Sequence, residues 1–321
     1  MSDSIHSSNC SGLHLPPRST PRTCSGKLNP IRLNNPIFLS SFFIFWLLAL
    51  WLIPNSVSVI ADYVAFSLLG ITGAIFANST GAGGGVVFIP MFNQLGFTEA
   101  QAVATSFGIQ CFGMTAGAFT WVHHYRHDKL ELHLWHAFKP VIGISSFFAV
   151  LGLWLVYGFS WSSPASLHEV FSSFSIFLGL AILATVFFLK PGREHARLMW
   201  FDVLALALIG ISGGVVTAWL SVGIGELMAI YLILRRFDVT MAVASAVVVS
   251  AIVVWAGVPE HFWRNPNAYW QVLIFAGPGA VLGGVFAKTL VSWLSARKLK
   301  IFFACWVLIV GLATSPFLPS L

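Results

Sequence analysis

Residues 70–106 read GITGAIFANSTGAGGGVVFIPMFNQLGFTEAQAVATS, and residues 210–246 read GISGGVVTAWLSVGIGELMAIYLILRRFDVTMAVASA. Laid over one another at a shift of 140 residues, the two stretches align without a gap. Gly70-Ile71-Thr72-Gly73 falls on Gly210-Ile211-Ser212-Gly213, and Gly83 and Gly85 fall on Gly223 and Gly225. Phe97 meets Phe237, and Ala102-Val103-Ala104-Thr105 meets Ala242-Val243-Ala244-Ser245. Pro140 and Pro278 follow at nearly the same offset. A shared taste for small residues in membrane helices gives scattered matches; it does not give an ungapped run of this length. The chain carries an internal repeat.

Composition says what solvent surrounds it. Of the 321 residues, 57% are hydrophobic and 9% charged, against about a quarter charged in an ordinary soluble domain. Thirteen Trp and 29 Phe suit a protein whose aromatics collect at headgroups and between helices. The net charge of +6 comes from basic residues in short loops between apolar runs. That placement speaks for topology and against a nucleic-acid patch. Cys10, Cys24, Cys111 and Cys305 are too scattered for a disulfide framework or a CxxC metal pair.

Apolar runs near the length of about 20 residues that a crossing helix needs recur along the chain. They are Ile37–Ile53, Ala61–Asn78, Ala100–Val122, His133–Phe159, Glu169–Leu189, Val203–Leu220, Val239–Val258, Ala268–Leu290 and Ile301–Phe317. Two more, Val86–Leu95 and Leu227–Leu234, are too short to span as straight helices. With the amino terminus in the cytoplasm and each run counted as one reversal, Arg126, Lys129, Lys190, Arg193, Arg197, Arg235, Arg236, Arg297, Lys298 and Lys300 fall inside. Only Arg264 lies outside, as the positive-inside rule requires. The expected organisation is a polar cytoplasmic tail over 1–35, an extra transmembrane helix over 36–60, a first repeat over 61–190 and a second over 200–318. The tail lacks the cleavage pattern of a secretory signal. Each repeat holds five runs, an odd number, so the second enters the membrane from the opposite face. An all-α polytopic membrane protein of two inverted repeats with broken half-helices is the fold expected, in the inner membrane of a bacterial cell.

The short runs locate the chemistry. Each follows a glycine cluster, Gly81-Ala82-Gly83-Gly84-Gly85 or Gly223-Ile224-Gly225. Breaks there leave backbone N–H groups unpaired at the start of a half-helix, and these together with the helix dipole attract an anion. Interrupted segments at equivalent places in two halves point to a transporter's binding site; close packing through small residues is the alternative that needs no ligand. Asn78, Ser79 and Thr80 lead into the first break, with Thr105, Ser106 and Gln110 on the following span. Ser221 and Ser245 hold related places in the second half. Their hydroxyls either donate to an oxyanion or bond back to their own helices. Glu226 directly follows Gly225, and an acid at membrane depth is a functional hypothesis by default. Burial favours its neutral form, so it is a candidate proton carrier; a structural carboxyl or a pair with Arg236 would also keep it there. His123 and His127 stand four apart in Trp121–Asp128, with His124, His133 and His136 nearby, a dense cluster better read as a solvated loop than as a metal site. No cofactor is implied.

The first half resembles the TauE/SafE family of sulfite and sulfonate exporters. The likeness is carried by Gly81-Ala82-Gly83-Gly84-Gly85 with Pro90, then Gly96, then Ala102-Val103-Ala104-Thr105-Ser106, a basic loop, Trp135 and a helix led by Pro140. It covers roughly Ala61 to Phe317. The second half departs from the pattern, with Gly223-Ile224-Gly225-Glu226 in place of a glycine triplet and Tyr231 near where a proline is common. The resemblance implies export of a small anion such as sulfite or sulfoacetate, driven by a secondary gradient. The rival classes are an intramembrane enzyme and a non-transporting assembly or sensor protein. His168-Glu169 is followed by Ser172 where a zinc protease has its second histidine, and neither a Walker A loop nor a GxGxxG fingerprint occurs. The chain is therefore read as no enzyme.

Overall fold

The computed structural model describes residues 36–52, 56–127, 135–188, 197–293 and 296–314. The polar tail over 1–35, His133, Lys129, Lys190 and Arg193 lie outside the described residues. The described residues are helical, without strands: α1 (Pro36–Trp51), α2 (Ser56–Tyr63), α3 (Phe66–Thr80), α4 (Gly85–Gln94), α5 (Glu99–His127), α6 (Phe138–Phe159), α7 (Leu167–Phe188), α8 (Trp200–Leu220), α9 (Ile224–Leu234), α10 (Val239–Pro259), α11 (Trp270–Trp293) and α12 (Ala296–Ala313). Six of them are long and apolar enough to cross a membrane, and α2 with α3, bent by 43°, makes a seventh span if taken together.

The run read as Ala61–Asn78 is thus two helices, with the bend at Val64-Ala65, where no Gly or Pro marks it. Beyond α10 the chain continues as one π-helical turn, Glu260–Arg264. There the Asn265 N–H donates to the Glu260 carbonyl, closing a wider ring than an α-helix does.

The two halves lay down matching elements, α3 to α7 and α8 to α12. Each half's first helix packs against the fourth helix of the other: α3 on α11, and α8 on α6. Glycines let these backbones approach closely, as membrane helices require in the absence of a hydrophobic force between them. Gly70 abuts the backbone of Ala276, Gly279 that of Ser67, and Gly152 that of Ile211. This exchange of partners is compatible with inverted repeats.

The short helices turn back rather than cross. Gly73 of α3 faces Phe88 of α4, and Gly213 of α8 faces Ile224 of α9. At the open end of the second hairpin Asp202, fully buried, accepts from Arg235 Nε at 2.7 Å, Tyr231 Oη at 2.6 Å and the Met199 N–H at 2.8 Å. Two hairpins therefore enter the bundle and meet at their tips. The departure at Tyr231 serves this staple, since a proline there has no hydroxyl to give Asp202. Replacing Asp202 by alanine strands three buried or half-buried donors. The loss is about 1–3 kcal/mol, kept low because Arg235 is 29% exposed and regains water. A thermal melt of the purified variant, lower than wild type by several degrees, is the expected reading.

Candidate anion site at the hairpin tips

Each tip ends its incoming helix with a residue in the left-handed region. In the first half this is Gly81, at φ 81°. Its counterpart at the 140-residue shift is Ser221, at φ 59°. Glycine adopts that conformation without cost, whereas a serine held there stores strain of about 1 kcal/mol or more. The serine is kept for its polar atoms. Ser221 Oγ donates to Ser106 Oγ at 2.9 Å, and both Ser221 oxygens accept from Gln110 Nε2, at 2.9 Å for the carbonyl and 2.7 Å for the hydroxyl. Ser221→Gly should leave thermal stability unchanged or slightly raised while lowering anion flux at least about tenfold. Equal losses of both would mean that the hydroxyl serves only the fold.

Gln110 ties the second tip to the first. Its Oε1 accepts from the Gly84 N–H at 2.9 Å, and its Nε2 also reaches Ser106 Oγ at 3.1 Å. This pattern fixes the amide orientation, because a carbonyl oxygen needs a donor and an N–H needs an acceptor. Gly85 comes so close to the other tip that a side chain there would lie 2.6 Å from the Ser221 carbonyl oxygen.

Glu226 completes the junction. Its Oε1 accepts from the Gly83 N–H at 2.6 Å and its Oε2 from the Gly223 N–H at 2.9 Å. Gly223 has φ 150°, a conformation reserved for glycine, which aims its N–H back at the carboxyl three residues on. One carboxyl is thus held by a backbone donor from each half, between the N-termini of α4 and α9. Its partners are these peptide groups and not Arg236; the adjacent Arg235 is engaged by Asp202 at the other end of α9.

A cavity of about 220 Å3 opens onto Glu226, between the tips and α7, α9, α10 and α11. Ser79, Thr80, Thr185 and Thr240 are its polar walls, and Ile182, Ala229, Ile230, Ile233, Val243 and Val291 make the rest apolar. On the other side of the tips lies a second chamber, of about 420 Å3, lined by Glu99, Tyr157, Glu260 and His261 with Val103 and Ala218. Val103 and Ala218 each lie one helical turn before a member of the Ser106–Ser221–Gln110 cluster.

Of the residues singled out from sequence, seven meet in one junction of two hydrogen-bonded sets, Gly83 and Gly223 on Glu226, and Gly84, Ser106 and Ser221 on Gln110, which adjoin through the Gly83–Gly84 peptide. Gly85 and Gly225 form its packed edges, Gly225 lying against the Gly81 carbonyl and Ser250 Oγ. Ser79 and Thr80 line the cavity, with hydroxyls bonded back to Phe76 O. Three lie elsewhere. The Asn78 amide donates to Ala74 O and Gly113 O, on the side of α3 toward α5. Thr105 Oγ1 accepts from the Tyr269 N–H ahead of α11, and Ser245 Oγ bonds back to Met241 O.

Two further residues belong to the site. Thr217 Oγ1 accepts from the Ile224 N–H and so caps α9. Ser250, the counterpart of Gln110 at the 140-residue shift, is 4% exposed, and its hydroxyl is without a partner among the described residues. No group of three or more metal-ligating side chains is found among the described residues.

The comparison with protein families matches residues 66–314 to the model described as "Sulfite exporter TauE/SafE". Comparisons with curated proteins and with solved structures find no match. The matched span takes in both hairpins, both chambers and all the helices from α3 to α12. The chain belongs to the TauE/SafE family of sulfite exporters, a family of membrane transporters.

Proposed function

We propose that the protein is a secondary transporter that exports a small oxyanion, sulfite or a short organosulfonate, from a site between the hairpin tips, with Glu226 carrying a proton. The observation that supports this most is the convergence of two half-helix N-termini on one buried carboxyl, each contributing a peptide N–H. Peptide donors and helix dipoles hold an anion without a fixed cation. The cavity wall, as described, contains no Lys or Arg, so binding is modest and release easy.

The same wall sets a preference. Its aliphatic side accepts a methyl or ethyl tail, whereas the ammonium of taurine or the carboxylate of sulfoacetate would lose hydration there without gaining a partner. Proteoliposome flux with sulfite, ethanesulfonate, taurine, sulfoacetate and sulfate is the test. Saturable movement of sulfite and ethanesulfonate, with sulfoacetate and taurine at least about tenfold slower, is expected. No saturable movement of any of them by folded protein would refute the reading. With the amino terminus in the cytoplasm, the Glu226 cavity faces the cytoplasm and the His261 chamber the outside, as the placement of basic residues supports.

A further inference from the structure

We infer that the Glu226 carboxylate is a tethered substitute for the transported anion: it fills the two-donor position between the tips when no substrate is present, and substrate gains that position only as Glu226 takes up a proton and turns aside. The inference rests on the reading of the tips as an anion site and adds the rule by which that site is filled.

A carboxylate has two acceptor oxygens, and here each takes one N–H, one from Gly83 and one from Gly223. Those are the donors an oxyanion arriving at the half-helix N-termini would need. Carboxylate and substrate therefore compete for the same hydrogens. They also repel, because the described lining of the cavity holds no Lys or Arg to keep two anions side by side.

The surroundings of Glu226 bear this out element by element. Ser79 and Thr80 come from α3, Ile182 and Thr185 from α7, Thr240 and Val243 from α10, and Val291 from α11. None of these is titratable or charged. From α5 the facing group is the neutral amide of Gln110, and Cys111 beside it lines a different, apolar groove. On α9 itself Tyr231 and Arg235 are bound to Asp202 of α8. Glu226 is the ionisable group of the cavity, and its counterpart in the first half is Val86. One site has one carboxylate.

Two observations point to a place for the incoming ligand. The cavity of about 220 Å3 beside Glu226 has room for several waters and hence for the side chain to swing into. The hydroxyl of Ser250, buried beside Gly225, has no partner among the described residues. A planar two-oxygen group leaves that donor idle. A pyramidal or tetrahedral oxyanion has a third oxygen for it.

The balance of charge follows. The loaded protein carries the anion and one proton on Glu226; the empty protein carries the deprotonated acid in the anion's place. Proton and anion thus move in the same direction. A monoanion moves with no net charge, and a dianion with one net negative charge, which an inside-negative potential drives outward.

The test is binding of ethanesulfonate, whose own charge is constant from pH 5 to pH 8, to the purified full-length protein followed by its tryptophan fluorescence. Wild type should bind about tenfold more weakly per pH unit once Glu226 is ionised. Glu226→Gln and Glu226→Ala should bind with one affinity at every pH, at least about tenfold tighter than wild type at the alkaline end. Variants that bind no tighter, or that keep the wild-type pH dependence, overturn the tether and leave Glu226 a structural cap on a working anion site. If neither wild type nor variants bind at any pH, the anion site itself is refuted, and the tether with it.

Discussion

Gly85→Ala is expected to reduce anion flux to about 1% of wild type or less. The added methyl would sit 2.6 Å from the Ser221 carbonyl oxygen and 3.2 Å from that of Leu220. Both are backbone atoms at the end of α8, so no rotamer change removes the clash. Overpacking of this kind costs about 1–3 kcal/mol, and the cheapest relief is to part the tips. Parting them breaks the Gly83–Glu226 and Gln110–Ser221 contacts together, which is why the effect on transport should exceed the effect on folding. Gly143→Ala is the control: a methyl there meets nothing within 4 Å, and its flux should match wild type. A Gly85→Ala protein that transports normally would show that the tips need not touch.

Gln110→Ala should cause the largest loss of stability among single changes at the site, and inactivate the protein as well. Its side chain makes four hydrogen bonds, one to Gly84 and two to Ser221 at the two tips and one to Ser106 on its own helix. Truncation leaves the Gly84 N–H and the Ser221 carbonyl buried without partners, at about 1–3 kcal/mol each. Gln110→Glu separates the two halves of the role. A carboxylate still accepts from Gly84, yet it has no hydrogen to give the Ser221 carbonyl. It should recover part of the melting temperature lost by the alanine variant and none of the flux. Equal flux in the glutamate variant and wild type would mean that the link to Ser221 is dispensable.

Much of this architecture was legible in the sequence because repeats and hydropathy report position along the chain and depth in the membrane. The ungapped match of residues 70–106 to 210–246 located both breaks, and the shortness of the runs after them marked the half-helices. What the pattern does not carry is azimuth. Thr105 and Ser106 are neighbours in sequence and at nearly equal depth, but one helical step of about 100° separates their directions. One caps the approach to α11 while the other joins the tips. Ser245 matches Thr105 in the repeat and turns back on its own helix, as hydroxyls in apolar surroundings often do.

The same 140-residue shift holds two further signals. Shifting Gln110 by 140 gives Ser250, and Ser221 lands on Gly81, where a left-handed cap was already implied by the glycine. Thr217 stands one helical turn before the second break, where a hydroxyl can cap the helix that follows. The bend at Val64-Ala65 had no sequence marker, because the apolar run passes through it without Gly or Pro. The π turn at Glu260–Arg264 does carry a marker, Pro259 immediately before it, whose ring supplies no N–H to the α-helical ladder; there the His261 ring lies 4.4 Å from that of Phe107, and His261 shares a 2.9 Å hydrogen bond with Tyr157.

Whether the anion sits between the tips can be seen by locating it. Selenite has the shape and charge of sulfite and scatters anomalously, so crystals of the full-length protein soaked with it under mildly acid conditions will show where it binds. One selenium peak is expected between the tips, with oxygens within hydrogen-bonding distance of the Gly83 and Gly223 N–H groups and the Glu226 side chain displaced into its cavity. A peak in the His261 chamber alone, or none at the tips of a protein that still transports selenite, would contradict that placement.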